Sequence, residues 1–472
     1  MRKSFNFVLF WVLAVMSILY VSSVLRRKYR QGVIAQRIYD DSSAYDVLCC
    51  GSSHAYCTIN PMEIYRERGL RTGVIATRRQ PLECTYYYLK EAFARKQPKV
   101  ILLESYMIYS EGCCQDEAVL HDAIVAFPGL ANKFRMVEAA LVAGNREDFY
   151  FDLLKYHSRW QELTSTDYTN ELCISDFLHG YVAFTKKTPV NVGKENASEH
   201  AVREIPRRKL AWLLKIRDLV HSHGGRLVVF TAPYDFGKKK EELLGQISAL
   251  AKFLKRERIE YVDFFKLFSD VGLDASVDFY DPGHLNIWGA QKVSRWICGY
   301  LNQDAHSDVT KSDWDADLVE YGKFCINEGV VDFKIGEGKK KLKNVASIGE
   351  VRILPKDEKY NFVKLPVELM ADRMYLLRAK SVKFTHGSAK RLHVKLRNNV
   401  LKKDVASVFF PLVDSGGIEI PFAVPNGGSG CALYVFAGDP KAENGCRGVG
   451  VVLDGVTVDE VQQLVDSKMT AK

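Results

Sequence analysis

The sequence predicts an α/β domain built on a five-stranded parallel sheet, followed by an antiparallel β-sandwich, and three features carry that expectation. Between Ala44 and Leu301, short apolar runs alternate with helical stretches, the signature of strands joined by crossover helices. Beyond Asp304 the pattern changes to short apolar–polar alternations such as Val351-Arg352-Ile353-Leu354 and His393-Val394-Lys395-Leu396, separated by turn signals such as Asn426-Gly427-Gly428. A length of 472 residues at 47% hydrophobic content supports two or three cores, at about 150 residues per domain.

Taken in order, the segment from Phe5 to Leu25 carries no charged side chain and reaches the roughly 20 residues that a membrane-crossing helix requires. Residues 1–30 are therefore expected to form a single membrane anchor. A cleaved signal peptide fits less well, because the apolar stretch exceeds the usual length of about 7–15 residues and Tyr20-Val21-Ser22-Ser23 is a poor cleavage site. Arg2 and Lys3 precede the span, and Arg26, Arg27, Lys28 and Arg30 follow it. The positive-inside rule then puts the large domain in the cytoplasm, and the second cluster suits contact with anionic lipid headgroups.

The first strand is expected at Asp46 to Cys50, running into Gly51-Ser52-Ser53. A helix follows with Asn60 as cap, Pro61 at its first position and Glu63 three residues after the cap, stopping before Gly69. Strands at Thr72 to Ala76 and Val100 to Glu104 flank a helix from Pro81 to Arg95. Residues 107–204 break the rhythm and read as an inserted cap within a domain spanning 40–304. The alternation resumes with a helix from Pro206 to His223, a strand from Arg226 to Phe230, a helix from Glu241 to Glu257 and a strand from Glu260 to Asp263. Asp281 begins a loop that becomes a helix at Ile287. His306 to Asp313 reads as a linker, and 314–472 as the sandwich, a carbohydrate-binding or docking module by fold analogy.

The net charge of +9 comes without an aromatic-interleaved basic motif or a helix-turn-helix signature, so it does not point to nucleic acid. Lys238-Lys239-Lys240 and Lys339-Lys340-Lys341 read as solvated faces. Eleven cysteines, with adjacent pairs at Cys49-Cys50 and Cys113-Cys114, include no C-x-x-C, which argues against a zinc site; no metal or organic cofactor is expected. Cys49 and Cys50 lie in a buried strand as small hydrophobes, and such usage favours a reducing or anaerobic setting over an extracellular disulfide framework.

In an open parallel sheet the reactive site lies beyond the carboxyl ends of the strands, and Ser53 sits at such an end. A hydroxyl at that sharp turn meets substrate, and backbone N–H groups of Gly51 and Ser52 can face a developing oxyanion. The plainer reading of the same residues is a tight turn with capping hydroxyls. Asp281 and His284, three residues apart, can lie together, with His284 as general base toward Ser53 and Asp281 fixing its tautomer. The plainer reading there is a helix-capping Asp and a surface His. His54 is a candidate assistant beside the nucleophile, and Arg79, with Arg78, a candidate binder of carboxylate or anionic glycan. His157, Arg159 and Trp160 form a cluster that could line a sugar site or simply pack the insert. Tyr86-Tyr87-Tyr88 reads as helix packing.

Gly51-Ser52-Ser53-His54 and Asp281-Pro282-Gly283-His284-Leu285-Asn286, followed by Gly289, resemble the first and last blocks of the SGNH (GDSL-like) hydrolase and acyltransferase superfamily. The resemblance covers roughly Ala44 to Leu301 and implies a flavodoxin-like three-layer domain with Ser53, Asp281 and His284 as the triad and Asn286 in the site. More narrowly, the chain looks like the membrane-anchored branch containing polysaccharide O-acetyltransferases and the teichoic-acid D-alanyl transfer protein. That branch implies an extracytoplasmic domain, opposite to the charge count. It also implies acyl transfer to a cell-surface polysaccharide, fed by a membrane-bound O-acyltransferase. Two departures stand out. Arg78-Arg79-Gln80 occupies the place of the family's oxyanion glycine, and Glu104-Ser105-Tyr106 replaces its G-x-N-D block. They leave open a rival reading, a catalytically weak SGNH-fold scaffold for glycan binding or assembly. A third is a cytoplasm-facing lipid or thioester hydrolase, following the charge pattern.

Overall fold

The computed structural model describes residues 2–26, 45–95, 97–110, 117–125, 127, 130–141, 146–164, 167–168, 177–197, 200–301, 312–328, 330, 342–356, 360–371, 373–386, 391–400, 402–411, 417–424, 430–438 and 446–461. Arg27, Lys28, Arg30, Cys113-Cys114, Lys339-Lys340-Lys341, the Asn426-Gly427-Gly428 turn and most of the expected linker lie outside them. The chain divides into two compact units, Met1–Trp314 and Asp315–Lys472.

The first unit opens with the apolar helix α1 (Arg2–Leu25). Strand β1 (Val47–Gly51) is followed by the short helix α2 (Ser53–Thr58), by α3 (Pro61–Arg68) and by β2 (Thr72–Ala76). Asn60 caps α3 by accepting from the Met62 N–H, with Pro61 at the first position and Gly69 as the left-handed C-cap. Helix α4 (Leu82–Arg95) leads to β3 (Val100–Glu104). Short helices α5 (Tyr106–Tyr109), α6 (Glu117–Ile124), α7 (Leu130–Ala140), α8 (Glu147–Tyr150) and α9 (Asp152–Tyr156) occupy the next stretch, with a 3₁₀ turn at His157–Glu162. Then come α10 (Arg207–Ser222), β4 (Arg226–Thr231), α11 (Lys240–Arg256) and β5 (Glu260–Asp263).

These five strands form one parallel sheet in the order β2-β1-β3-β4-β5. β1, β2 and β3 are buried on both faces, which is why Val-Leu-Cys-Cys-Gly and Val-Ile-Leu-Leu-Glu read as nearly continuous apolar runs. Val47, Cys49, Val100, Leu102, Val228 and Phe230 face one layer, where they meet Ile64 of α3 and Val293 and Ile297 of α12 (Ile287–Tyr300). Helices α4 and α10 pack on each other and on β1 and β4. Cys49, Cys50 and Cys57 are buried thiols within this core.

The segment expected as an inserted cap returns into this body. Val74 donates to the His179 carbonyl, Val182 to Tyr56 and Thr188 to Phe279, so residues 179–188 run along the domain as backbone-bonded chain. Asp281 and His284 also depart from expectation: they belong to a miniature hairpin, β6 (Phe279–Asp281) against β7 (His284–Leu285), and not to an open loop.

A helix, α13 (Ser312–Asn327), starts where the linker was expected to end and supplies the first residues of the second unit. Among the described residues, nine antiparallel strands follow as two sheets. One pairs β11 (Ser381–His386), β16 (Gly450–Val461), β10 (Arg373–Ala379) and β14 (Ile418–Val424), with β8 (Leu342–Ile353) alongside β16. The other runs β13 (Lys403–Pro411), β12 (Arg391–Asn398), β15 (Cys431–Ala437) and β9 (Phe362–Lys364). Leu377, Ile420 and Val458 of one sheet share a buried cluster with Leu392, Val394 and Leu433 of the other, as in a sandwich.

Gly51 closes β1 at φ +146°, and a Cβ there would sit 2.7 Å from the Glu104 Cβ. Only glycine adopts that backbone region freely, and overlap with a buried neighbour adds to the strain. Gly51→Ala is expected to cost at least ~2 kcal/mol. Denaturant unfolding measures it, and an unchanged midpoint would show that the turn accepts a side chain.

Candidate active site

The turn after β1 points the start of α2 across the carboxyl ends of the sheet. Ser52 is the N-cap and its hydroxyl accepts from the His54 N–H, which fixes the direction of the helix and presents Ser53 as its first residue. In β6 and β7, Asp281 and His284 are direct cross-strand partners, so the hairpin itself sets their contact. The His284 Nδ1 lies 2.9 and 3.1 Å from the two Asp281 carboxylate oxygens. On the other side of the ring, Nε2 lies 2.9 Å from the Ser53 Oγ, across 231 residues of sequence. The Gly283 N–H donates to Asp281 at 2.7 Å and steadies the carboxylate. Ser53 is 8% exposed, whereas His284 and Asp281 retain 25% and 39% of their side-chain surface, so solvent reaches the group from the hairpin side.

Two motif residues act on the hairpin rather than on a substrate. Asn286 was a candidate for substrate or oxyanion contact, but it is fully buried and its amide is spent. Its oxygen accepts from Trp288 and Gly289 as the cap of α12, and its nitrogen donates to the carbonyls of Val277, Lys186 and Phe279. Gly289 lets α12 approach the hairpin base, since a Cβ there would meet the Asp278 carbonyl at 2.5 Å.

Glu104 is the residue that sequence reasoning undervalued. It ends β3 beside β1, is 1% exposed, and accepts from the Ser52 hydroxyl at 2.7 Å and the Tyr106 N–H at 2.7 Å. Burial raises its carboxyl from the ordinary 4.5 to about 7, against the pull of those donors and of the Ser52 and Ser105 N–H groups. The available signal was a charge closing an otherwise apolar strand next to the serine turn. His54 is also buried, with its ring 4.6 Å from Tyr106, 5.0 Å from Tyr234 and 5.4 Å from His284 between centroids. Burial, then the nearby His284, lowers its imidazole to about 3, so it packs beside the triad as a neutral ring. Burial pushes the Tyr56 phenol up, while a side-chain hydrogen bond with Ser53 draws it down.

The remaining candidates lie elsewhere. Arg79 sits exposed in a turn at φ +48° and, among the described residues, makes no hydrogen bond or ion pair, while Arg78 pairs with Asp122 at 3.1 Å. Arg159 bonds to the carbonyls of Val24 and Leu25 and pairs with Asp167, and His157 bonds to the Leu154 carbonyl. Their partners belong to α1 and its surroundings, so His157 and Arg159 are not part of the Ser53 group. Tyr88 is buried and donates to the Ala123 carbonyl, and Tyr86 packs edge-on to Trp212, as helix packing requires.

Glu104 and His54 act on stability with opposite dependence on pH. Folded Glu104 keeps a proton that the unfolded chain loses above 4.5, so its contribution is fully present below about 4.5 and is lost as pH rises through about 7, a change of ~3 kcal/mol. His54 takes a proton in the unfolded chain below 6.5 but in the folded one only near 3, so its contribution is lost as pH falls below 6.5. Comparing Glu104→Gln with wild type isolates the first effect. The melting-temperature difference should shift in favour of the variant as pH rises from about 5 to about 8. A pH-independent difference would contradict the assignment.

No family model and no curated protein matches this chain. Among solved structures, a family 16 carbohydrate-binding module is 17% identical over 25% of this chain and 84% of its own, with a TM-score of 0.18. A xylan-binding domain from Paenibacillus barcinonensis is 20% identical over 27% of this chain and 93% of its own, with a TM-score of 0.18. A capsular polysaccharide assembling protein from Staphylococcus aureus is 11% identical over 89% of this chain and 97% of its own, with a TM-score of 0.14. Similarity at these scores carries no inference about what this chain binds or does.

Proposed function

We propose that the protein is a membrane-anchored serine acyltransferase or esterase of the SGNH type, moving a short acyl group such as acetyl to or from a cell-surface polysaccharide. The observation that carries the chemistry is the Ser53 Oγ to His284 Nε2 contact of 2.9 Å, with Asp281 on the far ring nitrogen. The strand order 2-1-3-4-5 supports a flavodoxin-like domain, and Ser53 lies at the switch point between β1 and β3, where such sheets bind ligands. The acetyl group, the glycan and a membrane-bound O-acyltransferase as donor rest on the motif resemblance alone.

In this reading His284 Nε2 takes the Ser53 proton as Oγ bonds to the acyl carbonyl carbon, and Asp281 stabilises the imidazolium. The carbonyl electron pair moves onto oxygen, then returns as the donor alcohol leaves with the proton from His284. An acceptor hydroxyl, or water, attacks the acyl-serine by the same route in reverse. Ser53 is the first residue of α2, so its N–H has no intrahelical acceptor and is available to the oxyanion.

A second reading, a scaffold with residual or no catalysis, is favoured by the residues at the two departing blocks. Arg78 is engaged with Asp122, and Glu104 with Ser52 and Tyr106, so neither of these two side chains replaces the oxyanion donor of its block. One missing donor costs about 2.7–4 kcal/mol of transition-state stabilisation.

A fluorophosphonate probe on the full chain separates the two. The enzyme reading expects covalent labelling at Ser53, abolished in Ser53→Ala and slowed by about 100-fold or more in His284→Ala. An unlabelled but folded wild type would favour the scaffold.

A further inference from the structure

We infer that Phe151, Leu154 and Trp160 form a membrane-interface surface beside the exit of α1, so that the domain rests on the lipid as well as being tethered to it. The inference uses the anchor part of the functional reading and none of its catalysis. In α1, Phe5–Leu25 have a mean hydropathy of 2.4, and most of its apolar side chains face outward, as with Phe10 at 62% and Leu19 at 60% exposed. At its last turn the environment changes. Val24 and Leu25 are each 3% exposed, and Leu25 packs with Val125 and Tyr156.

Polar contacts fix the same end. The final carbonyls of a helix have no intrahelical donor, and Arg159 supplies one, donating to Leu25 at 2.9 Å and Val24 at 3.4 Å while paired with Asp167. Arg26 reaches Asp152 at 3.4 Å, and Lys133 pairs with the other oxygen of that carboxylate at 2.9 Å. The helix end is thus built into the fold, an arrangement that suits a retained anchor and not a segment to be cut away.

A segment bonded to the carbonyls where an apolar helix ends lies at the depth where that helix leaves the hydrocarbon. This same segment carries Phe151, Leu154 and Trp160 at 59%, 51% and 65% exposed. Three large apolar side chains within ten residues are costly in water, whereas Trp and Phe are favoured at the bilayer interface. Lys155 and His157, exposed between them, suit the headgroup level. Of the cluster that sequence reading offered as a sugar site, Trp160 therefore takes lipid as its partner, and Arg159 the end of α1.

The test uses the full chain in nanodiscs of phosphatidylcholine and phosphatidylglycerol with brominated acyl chains, which quench only tryptophans in contact with lipid. Differences between wild type and Trp160→Phe, and between wild type and Trp11→Phe, isolate each indole. The expected result is loss of both Trp160 and Trp11 emission in brominated discs. Quenched Trp11 with unquenched Trp160 overturns the surface while the anchor stands. If the Trp160 emission is also blue-shifted, protein and not lipid covers the patch. Unquenched Trp11 overturns the anchor and the surface together.

Discussion

A buried carboxyl holds the serine turn to the centre of the sheet. Glu104 ends β3 directly beside the last residue of β1, and its two oxygens receive the Ser52 hydroxyl and the Tyr106 N–H. Ser52 in turn caps α2, so the position of Ser53 follows from a chain of contacts that begins on the neighbouring strand. Gly51 makes the approach possible, since any side chain there would collide with Glu104. The ionisable groups around the carboxyl, Cys49, Cys57, Tyr109, Tyr234 and Tyr261, are held uncharged at neutral pH by burial. Such a site tolerates a protonated acid more readily than a carboxylate, and its donors make up part of the difference.

The other half of the site arrives by a different device. A two-strand hairpin places Asp281 opposite His284, and buried Asn286 rivets its base to three carbonyls while starting α12. The Asp235 N–H, beyond β4, donates to the Pro282 carbonyl and holds the tip. Each of these bonds is ordinary in strength, about 1 kcal/mol net. Their joint effect is to leave the imidazole little freedom, which is what a proton-transferring ring between two oxygens needs.

Hydrophobic demands shape the rest of the first unit. β1, β2 and β3 are buried on both faces, the neutral His54 ring closes the space among Tyr106, Tyr234 and His284, and the segment 179–188 seals the rim. At the distal side the end of α1 is bonded into α9 and the turn after it, so the apolar helix and the domain form a continuous structure.

Local chemistry made much of this legible in advance. The strands at Thr72 to Ala76 and Val100 to Glu104 match the expected runs residue for residue, because strands buried on both sides read as near-continuous apolar runs, and Glu260 to Asp263 at the sheet edge matches as well. The Asn60-Pro61 start and Gly69 stop of α3 were equally plain, being set by capping bonds within one turn of helix. The pairing of Ser53 with Asp281 and His284 was readable only as spacing and motif. Whether Asn286 and Arg159 join them depended on contacts 100 or more residues away, Asn286 with the Lys186 carbonyl and Arg159 with the Leu25 carbonyl. The sequence by itself determined the sheet, the helix caps and the placing of Ser53 at the end of the first strand, since each follows from neighbours in the chain. Only the tertiary structure decided that Glu104 supports the serine turn and that Arg159 serves the helix end, because a long polar side chain takes whichever buried partner the fold brings to it.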